Sequence, residues 1–364
     1  MGVENEVMTA LTAHPGFNPG SCINRRQRRY TCTVCSGLCP YGVFSLRAGD
    51  SVQWKKCVDC GLCAALCPSR CFLPSASGQR ALTEGVNLSA PVAFACREEA
   101  SAGGQHVRCL ASVPWEYLAY LALQTELVLY TGSCSGCAHS DWAEQVERQL
   151  AALRAFLGEE RWSRQVHPVT DGRFDLPEPE EPDTQLSRRA LFSGLKKRAE
   201  KGLYRAAVKR LPVLVDGDAD GMQYRRILAR AVQEEQKLPH PDEASKPEGK
   251  APDYGVQLPR FNAACFGCGI CEKLCPHQAL EIVPESDGRR LICITPWKCT
   301  GCALCGQVCP HGGISEMHTV RVPRLTQLAL VRVNSLPCER CGTAIPPGSN
   351  PPLCPACAAK RPRR

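Results

Sequence analysis

Eight cysteines between residues 265 and 309 repeat one spacing twice, Cys-x2-Cys-x2-Cys-x3-Cys-Pro. The first copy is Cys265, Cys268, Cys271 and Cys275-Pro276; the second is Cys299, Cys302, Cys305 and Cys309-Pro310. Thiolates at this spacing hold iron–sulfur clusters, and the fourth cysteine of each run ligates the other run's cluster. A four-iron cubane needs four sulfurs placed tetrahedrally. Three close cysteines on a tight loop supply three corners, and the same loop cannot reach round to the fourth. The expected sets are Cys265, Cys268, Cys271 with Cys309, and Cys299, Cys302, Cys305 with Cys275. Their chemistry would be one-electron transfer.

Cys57, Cys60, Cys63 and Cys67-Pro68 form a third intact run. Upstream, Cys32, Cys35 and Cys39-Pro40 reproduce its last three positions, and Arg29 stands where the first cysteine would fall. Cys22 is the candidate for that vacancy. Exchanged ligation then gives Cys57, Cys60, Cys63 with Cys39, and Cys22, Cys32, Cys35 with Cys67. The competing reading leaves Cys22 free and the second of these sites with three irons or none. The slot four residues past each fourth cysteine is small: Val43, Cys71, Ala279 and Gly313. Cys71 therefore reads as a core residue rather than an extra ligand. Cys293 lies in Leu291-Ile292-Cys293-Ile294, beyond the turn at 285–288, and reads as a packing residue of a hairpin strand.

Residues 22–72 and 265–314 each resemble a bacterial-type ferredoxin domain with two four-iron clusters. That resemblance implies a small α+β fold with pseudo-twofold symmetry and hairpins flanking the clusters.

The elements between these runs change character. Pro91–Cys96 and Leu127–Cys134 read as apolar strands, Pro114–Gln124 and Asp141–Leu157 as helices. Trp142, Val146, Leu150, Leu153 and Leu157 make the second helix amphipathic. Strand, helix, strand, helix gives a small α/β unit, whose chemistry belongs at the carboxyl ends of its strands. There stand Cys96, Cys109, Cys134 and Cys137. The layout resembles the delta-type iron–sulfur subunit of methyl-viologen-reducing hydrogenases, which implies a two-iron cluster on these four. Zinc or another metal, an empty site, and a Cys134/Cys137 redox dithiol are the rival readings. The last would make the chain a disulfide- or persulfide-reducing enzyme.

Residues 171–183 are acidic and proline-rich, the composition of an extended linker. Residues 188–210 then carry nine basic side chains against Glu200 alone, a local excess equal to the whole chain's formal charge of +8. This segment reads as a basic helix: a solvated linker, a dock for an acidic partner, or a nucleic-acid contact, the last disfavoured because Tyr204 is its only aromatic besides Phe192. Ser187-Arg188-Arg189 looks like a twin-arginine signal, but it is internal and followed by lysines. Residues 234–254 read as a polar, disordered linker. Near the end, Cys338, Cys341, Cys354 and Cys357 form two Cys-x2-Cys knuckles that resemble a zinc ribbon. A rubredoxin-like iron site is the alternative.

Clustered spacing among 26 cysteines in 364 residues means metal rather than disulfides. An aromatic content of 6% predicts several small metal-supported units rather than one large core. No secretory signal or membrane span is read, so a soluble cytoplasmic protein is expected. No Gly-x-Gly-x-x-Gly fingerprint occurs.

The expected architecture is α+β and multidomain: a two-cluster unit at 1–84, the α/β unit at 85–170, a linker with a basic helix at 171–255, a second two-cluster unit at 256–330, and a ribbon with a basic tail at 331–364. The expected cofactors are four [4Fe-4S] clusters, a [2Fe-2S] cluster and Zn. The expected function is electron transfer as the iron–sulfur subunit or partner of a larger anaerobic oxidoreductase. A redox-responsive regulator or maturation factor is the alternative outside that class.

Overall fold

The computed structural model describes residues 14–27, 32–44, 52–97, 104–137, 139–170, 221–237 and 253–359. Arg29, the acidic stretch 171–183, the basic segment 188–210 and the tail beyond Ala359 lie outside them.

The N-terminal unit is closed end to end. Strand β1 (Gly16–Phe17) pairs antiparallel with β2 (Phe72–Leu73), matching Phe17 to Phe72. Between them run three short helices, α1 (Ile23–Arg26), α2 (Val34–Leu38) and α3 (Leu62–Leu66). Each is about one turn long, too short to be stable alone. Helix α4 (Ala76–Thr83) follows, its start capped by Ser75 Oγ, which accepts from the Gly78 amide at 2.9 Å.

The α/β unit is a four-stranded parallel sheet in the order β4-β3-β5-β6. Its central strands, β3 (Val92–Cys96) and β5 (Leu127–Tyr130), are unbroken apolar runs, as strands covered on both faces must be. The edges, β4 (Gln105–Val107) and β6 (Val166–Val169), escape the sequence reading. One is three residues long, and the other carries Pro168, which suits only an edge. The expected strand 127–134 ends at Tyr130, and residues 132–136 form a tight helical turn. Helix α5 (Trp115–Ala122) is buried along nearly its whole length, whereas α6 (Ala143–Leu157) buries one face and α7 (Glu159–Gln165) none.

The stretch 171–255 needs a correction. Gln223–Lys237 is a helix, α8, packed against α5. Tyr224, Ile227, Leu228, Ala231 and Val232 are buried on one stripe, so part of the expected linker belongs to the core.

In the C-terminal unit, β7 (Tyr254–Phe261), α9 (Ile270–Leu274), β8 (Leu280–Pro284), β9 (Arg289–Ile294), α10 (Leu304–Gln307), β10 (Ile314–Val322) and β11 (Leu328–Asn334) follow in order. β7 pairs antiparallel with β10, and the hairpin β8–β9 takes β11 on its far edge. Cys293 lies buried in β9, as the hairpin reading expects. A small knuckle closes the described chain: β12 (Leu336–Pro337) against β13 (Ala344–Ile345), then α11 (Pro355–Ala358).

A single apolar cluster runs from Leu62 through Phe94, Tyr117, Leu153 and Val232 to Leu258, Ile292 and Val333. This cluster is larger than the expected small cores and buries the aromatics Phe94, Tyr117, Tyr224 and Tyr254, whereas small separate clusters surround Cys22, Cys67 and Phe72 and the tail's Cys338, Cys354 and Cys357, as small metal-supported units would. No described helix is long and apolar enough to cross a membrane.

Candidate metal centres

Every cysteine run is shaped by the same backbone device. Three residues past the fourth cysteine the chain turns left-handed, at Gly42 (φ 60°), Arg70 (φ 49°), Gln278 (φ 51°) and Gly312 (φ 61°). The turn aims the next amide back at the cysteine. Cys71 N–H donates to Cys67 Sγ at 3.4 Å, Ala279 N–H to Cys275 Sγ at 3.3 Å, and Gly313 N–H to Cys309 Sγ at 3.2 Å. Within the three intact runs, the second and fourth residues after the first cysteine are also left-handed: Asp59 and Gly61, Gly267 and Gly269, Gly301 and Ala303. Asp59 N–H donates to Cys57 Sγ at 3.4 Å. All non-glycine residues with positive φ among the described ones (Asp59, Arg70, Gln278 and Ala303) lie in these loops. Strained backbone of this kind concentrates at functional sites.

The sets that the structure brings together are the exchanged ones. Cys35 is surrounded by Cys67, Cys32 and Cys22, and burial followed by these neighbours pushes its thiol up to about 12. Cys39, Cys57, Cys60 and Cys63 line one apolar hollow with Val43 and Phe44, and Cys35 borders it too. Cys275, Cys299, Cys302 and Cys305 line another with Ala279 and Ile294. Cys271 neighbours Cys265, Cys268 and Cys309, and burial pushes it to about 12.

In the α/β unit, Cys96 ends β3, Cys109 follows β4, and Cys134 and Cys137 follow β5. Cys109 is raised to about 11, by burial first and then by Cys134, Cys96 and Cys137. The four thus follow the carboxyl ends of neighbouring strands of one sheet, where an α/β fold places its chemistry.

The tail is built differently. The sulfurs of Cys338, Cys341, Cys354 and Cys357 all lie within 4.8 Å of one another. Four sulfurs about 2.3 Å from one ion stand roughly 3.8 Å apart. No other such tight group occurs among the described residues. Cys338, Cys354 and Cys357 are buried, and Cys354 N–H donates to Cys338 Sγ at 3.2 Å.

These donor sets fit iron–sulfur clusters. Burial disfavours a bare thiolate, and a cationic metal centre supplies the charge that would hold one. Amides aimed at the sulfurs further stabilise the negative sites.

Sequence reasoning missed the groups that hold the units together. Glu116, 1% exposed, accepts from Arg70 at 2.5 Å and Arg225 at 3.0 Å. Arg225 also donates to the carbonyls of Trp297 (2.8 Å) and Cys299 (2.7 Å). A lone carboxylate inside the apolar run 115–123 was the available signal.

Loops of this spacing, with their sulfurs gathered around shared hollows, are the arrangement that holds iron–sulfur clusters. Residues 264–313 match the family model of the 4Fe-4S dicluster domain. No curated protein and no solved structure matches the chain. The C-terminal unit is thus a 4Fe-4S dicluster domain within a mixed α and β chain, and iron–sulfur electron transfer is the function it points to.

Proposed function

We propose that the chain is a multi-cluster electron carrier, the iron–sulfur subunit or dedicated partner of a larger oxidoreductase in an anaerobe. One observation carries this reading. The Cys67 loop shares the left-handed turn and the amide-to-sulfur bond of the matched C-terminal domain, and the Cys39 loop shares the turn, at Gly42.

On this reading, Cys22, Cys32, Cys35 and Cys67 hold one four-iron cluster, and Cys39, Cys57, Cys60 and Cys63 a second. Cys265, Cys268, Cys271 and Cys309 hold a third, and Cys275, Cys299, Cys302 and Cys305 a fourth. Cys96, Cys109, Cys134 and Cys137 hold a two-iron cluster, and the tail knuckle holds zinc. Clusters supply one-electron storage at reduction potentials that the protein sets. The residues around them do the setting: amides donate to ligand sulfurs, and Val43, Phe44, Phe72 and Ile294 keep water away. Catalysis on a substrate then belongs to a partner subunit.

Anaerobic loading of the full chain with iron and sulfide, followed by a redox titration, tests this. About eighteen irons are expected, sixteen in four cubanes and two in the α/β unit. Cys134→Ser with Cys137→Ser should remove only the two-iron signal. A chain that cycles electrons solely through a Cys134–Cys137 disulfide, with no iron taken up, would refute the reading.

A further inference from the structure

Resting on the reading that the cysteine sets hold clusters, we propose that the five sites stand in series, with the two dicluster units joined at Ser69 and His277. The order would be α/β unit, Cys57 site, Cys22 site, Cys299 site, Cys265 site.

The junction is made by equivalent segments. Cys67-Pro68 leads to Ser69, and Cys275-Pro276 leads to His277. His277 Nε2 lies 2.8 Å from the Ser69 carbonyl, which requires the proton on that nitrogen. Arg26, four residues past Cys22, donates through Nε to the Leu274 carbonyl at 3.1 Å, just before Cys275. The Arg70–Glu116–Arg225 bridge ends on the Cys299 carbonyl. Exchange decides what these contacts connect. Cys67 serves the Cys22 site, and Cys275 serves the Cys299 site, so these are the sites brought face to face.

Inside each unit the neighbours follow from the helices. Helix α2, which carries Cys35, packs against α3, which carries Cys63, and α9, which carries Cys271, packs against α10, which carries Cys305. The outer ends are equally placed. A Cβ on Gly61, in the Cys57 loop, would meet Ser112 Cβ at 3.2 Å, in the turn that follows Cys109. At the opposite end, a Cβ on Gly267, in the Cys265 loop, would meet Val333 at 3.3 Å. Val333 is on β11, and the tail knuckle begins directly after it. One terminus of the series therefore belongs to the α/β unit and the other lies near the knuckle.

Each transfer moves one electron, oxidising one site by one and reducing its neighbour by one. No bond is made or broken. In the test, dithionite is the reductant and a viologen dye the acceptor.

The experiment compares two loaded, fully reduced variants of the full chain, both also carrying Cys134→Ser and Cys137→Ser so that the α/β site contributes no spin. Cys60→Ser with Cys268→Ser leaves the Cys22 and Cys299 sites; Cys32→Ser with Cys302→Ser leaves the Cys57 and Cys265 sites. Electron paramagnetic resonance should show strong spin coupling in the first variant and weak coupling in the second. Iron counts on both confirm that two cubanes survive. Equal coupling, or stronger coupling in the second, overturns the order while leaving the electron-carrier reading intact. Wild-type protein that takes up no iron overturns both. Flash photoreduction gives a second readout: His277→Ala should slow electron crossing between units severalfold, and His277→Gln should restore much of it. Unchanged crossing in His277→Ala would remove the junction from the path.

Discussion

The sulfur of Cys71 lies 3.3 Å from the sulfur of Cys67. It is also bonded to Cys22, and these two bonds, followed by burial, push the Cys71 thiol far up, so it keeps its proton. Cys22 and Cys67 are both drawn down to about 6, with the Cys71 bond as the first cause. The core residue expected at this slot is thus buried between the Cys22 and Cys67 sulfurs, and its single S–H proton can be given to one of them at a time.

A donor to a ligand sulfur favours the more negative, reduced state and raises the cluster's potential. Cys71→Ala should therefore lower the potential of the Cys22 site at unchanged iron content. Cys71→Ser should lie between it and the wild type. A redox titration followed by electron paramagnetic resonance reads the shift. Loss of a cubane in Cys71→Ala would instead make Cys71 a ligand.

Exchange makes the effect of a lost fourth cysteine remote. Cys275→Ser should damage the site of Cys299, Cys302 and Cys305, and leave that of Cys265, Cys268 and Cys271 loaded. Site-resolved Mössbauer spectra on selectively labelled protein check this. Loss of the local site would overturn the exchanged assignment.

Glu116 is a single carboxylate between two buried guanidiniums. Removing one partner of a buried pair leaves uncompensated charge and costs about 3–5 kcal/mol. Glu116→Ala should lower the urea midpoint by a corresponding amount. Glu144→Ala, which breaks the exposed pair with Arg148, should cost under about 1 kcal/mol.

The knuckle should be separable from the electron path. Truncation after Pro337 should remove one zinc per chain, measured by elemental analysis, and leave the visible cluster absorption unchanged. Loss of a redox-active iron signal would mark the site as rubredoxin-like.

The cysteine loops were legible because their chemistry is local: spacing along the chain dictates which sulfurs converge. Strands β3 and β5 were legible as unbroken apolar runs. Helix α8 was harder. Its stripe of Tyr224, Ile227, Leu228, Ala231 and Val232 is interleaved with Arg225, Arg226, Arg230 and Glu234, so its average polarity resembles a linker. Burial of Arg225 depends on Glu116, more than a hundred residues away, and no local pattern encodes that pairing. The meeting of Ser69 with His277 is likewise a product of the shared core, which no single segment contains.

That core also sets a timetable for biosynthesis. The apolar face of α5 finds its partner α8 only after residue 232 has left the ribosome, and β7 waits for β10. At about 5–20 residues per second, the first half spends seconds with interior surface exposed. Cys22 and Cys67 lie in a separate apolar cluster drawn wholly from residues 17–72, so their surroundings are complete in sequence long before the larger core is. The N-terminal unit can thus close around its cysteines while the rest of the chain is still being made.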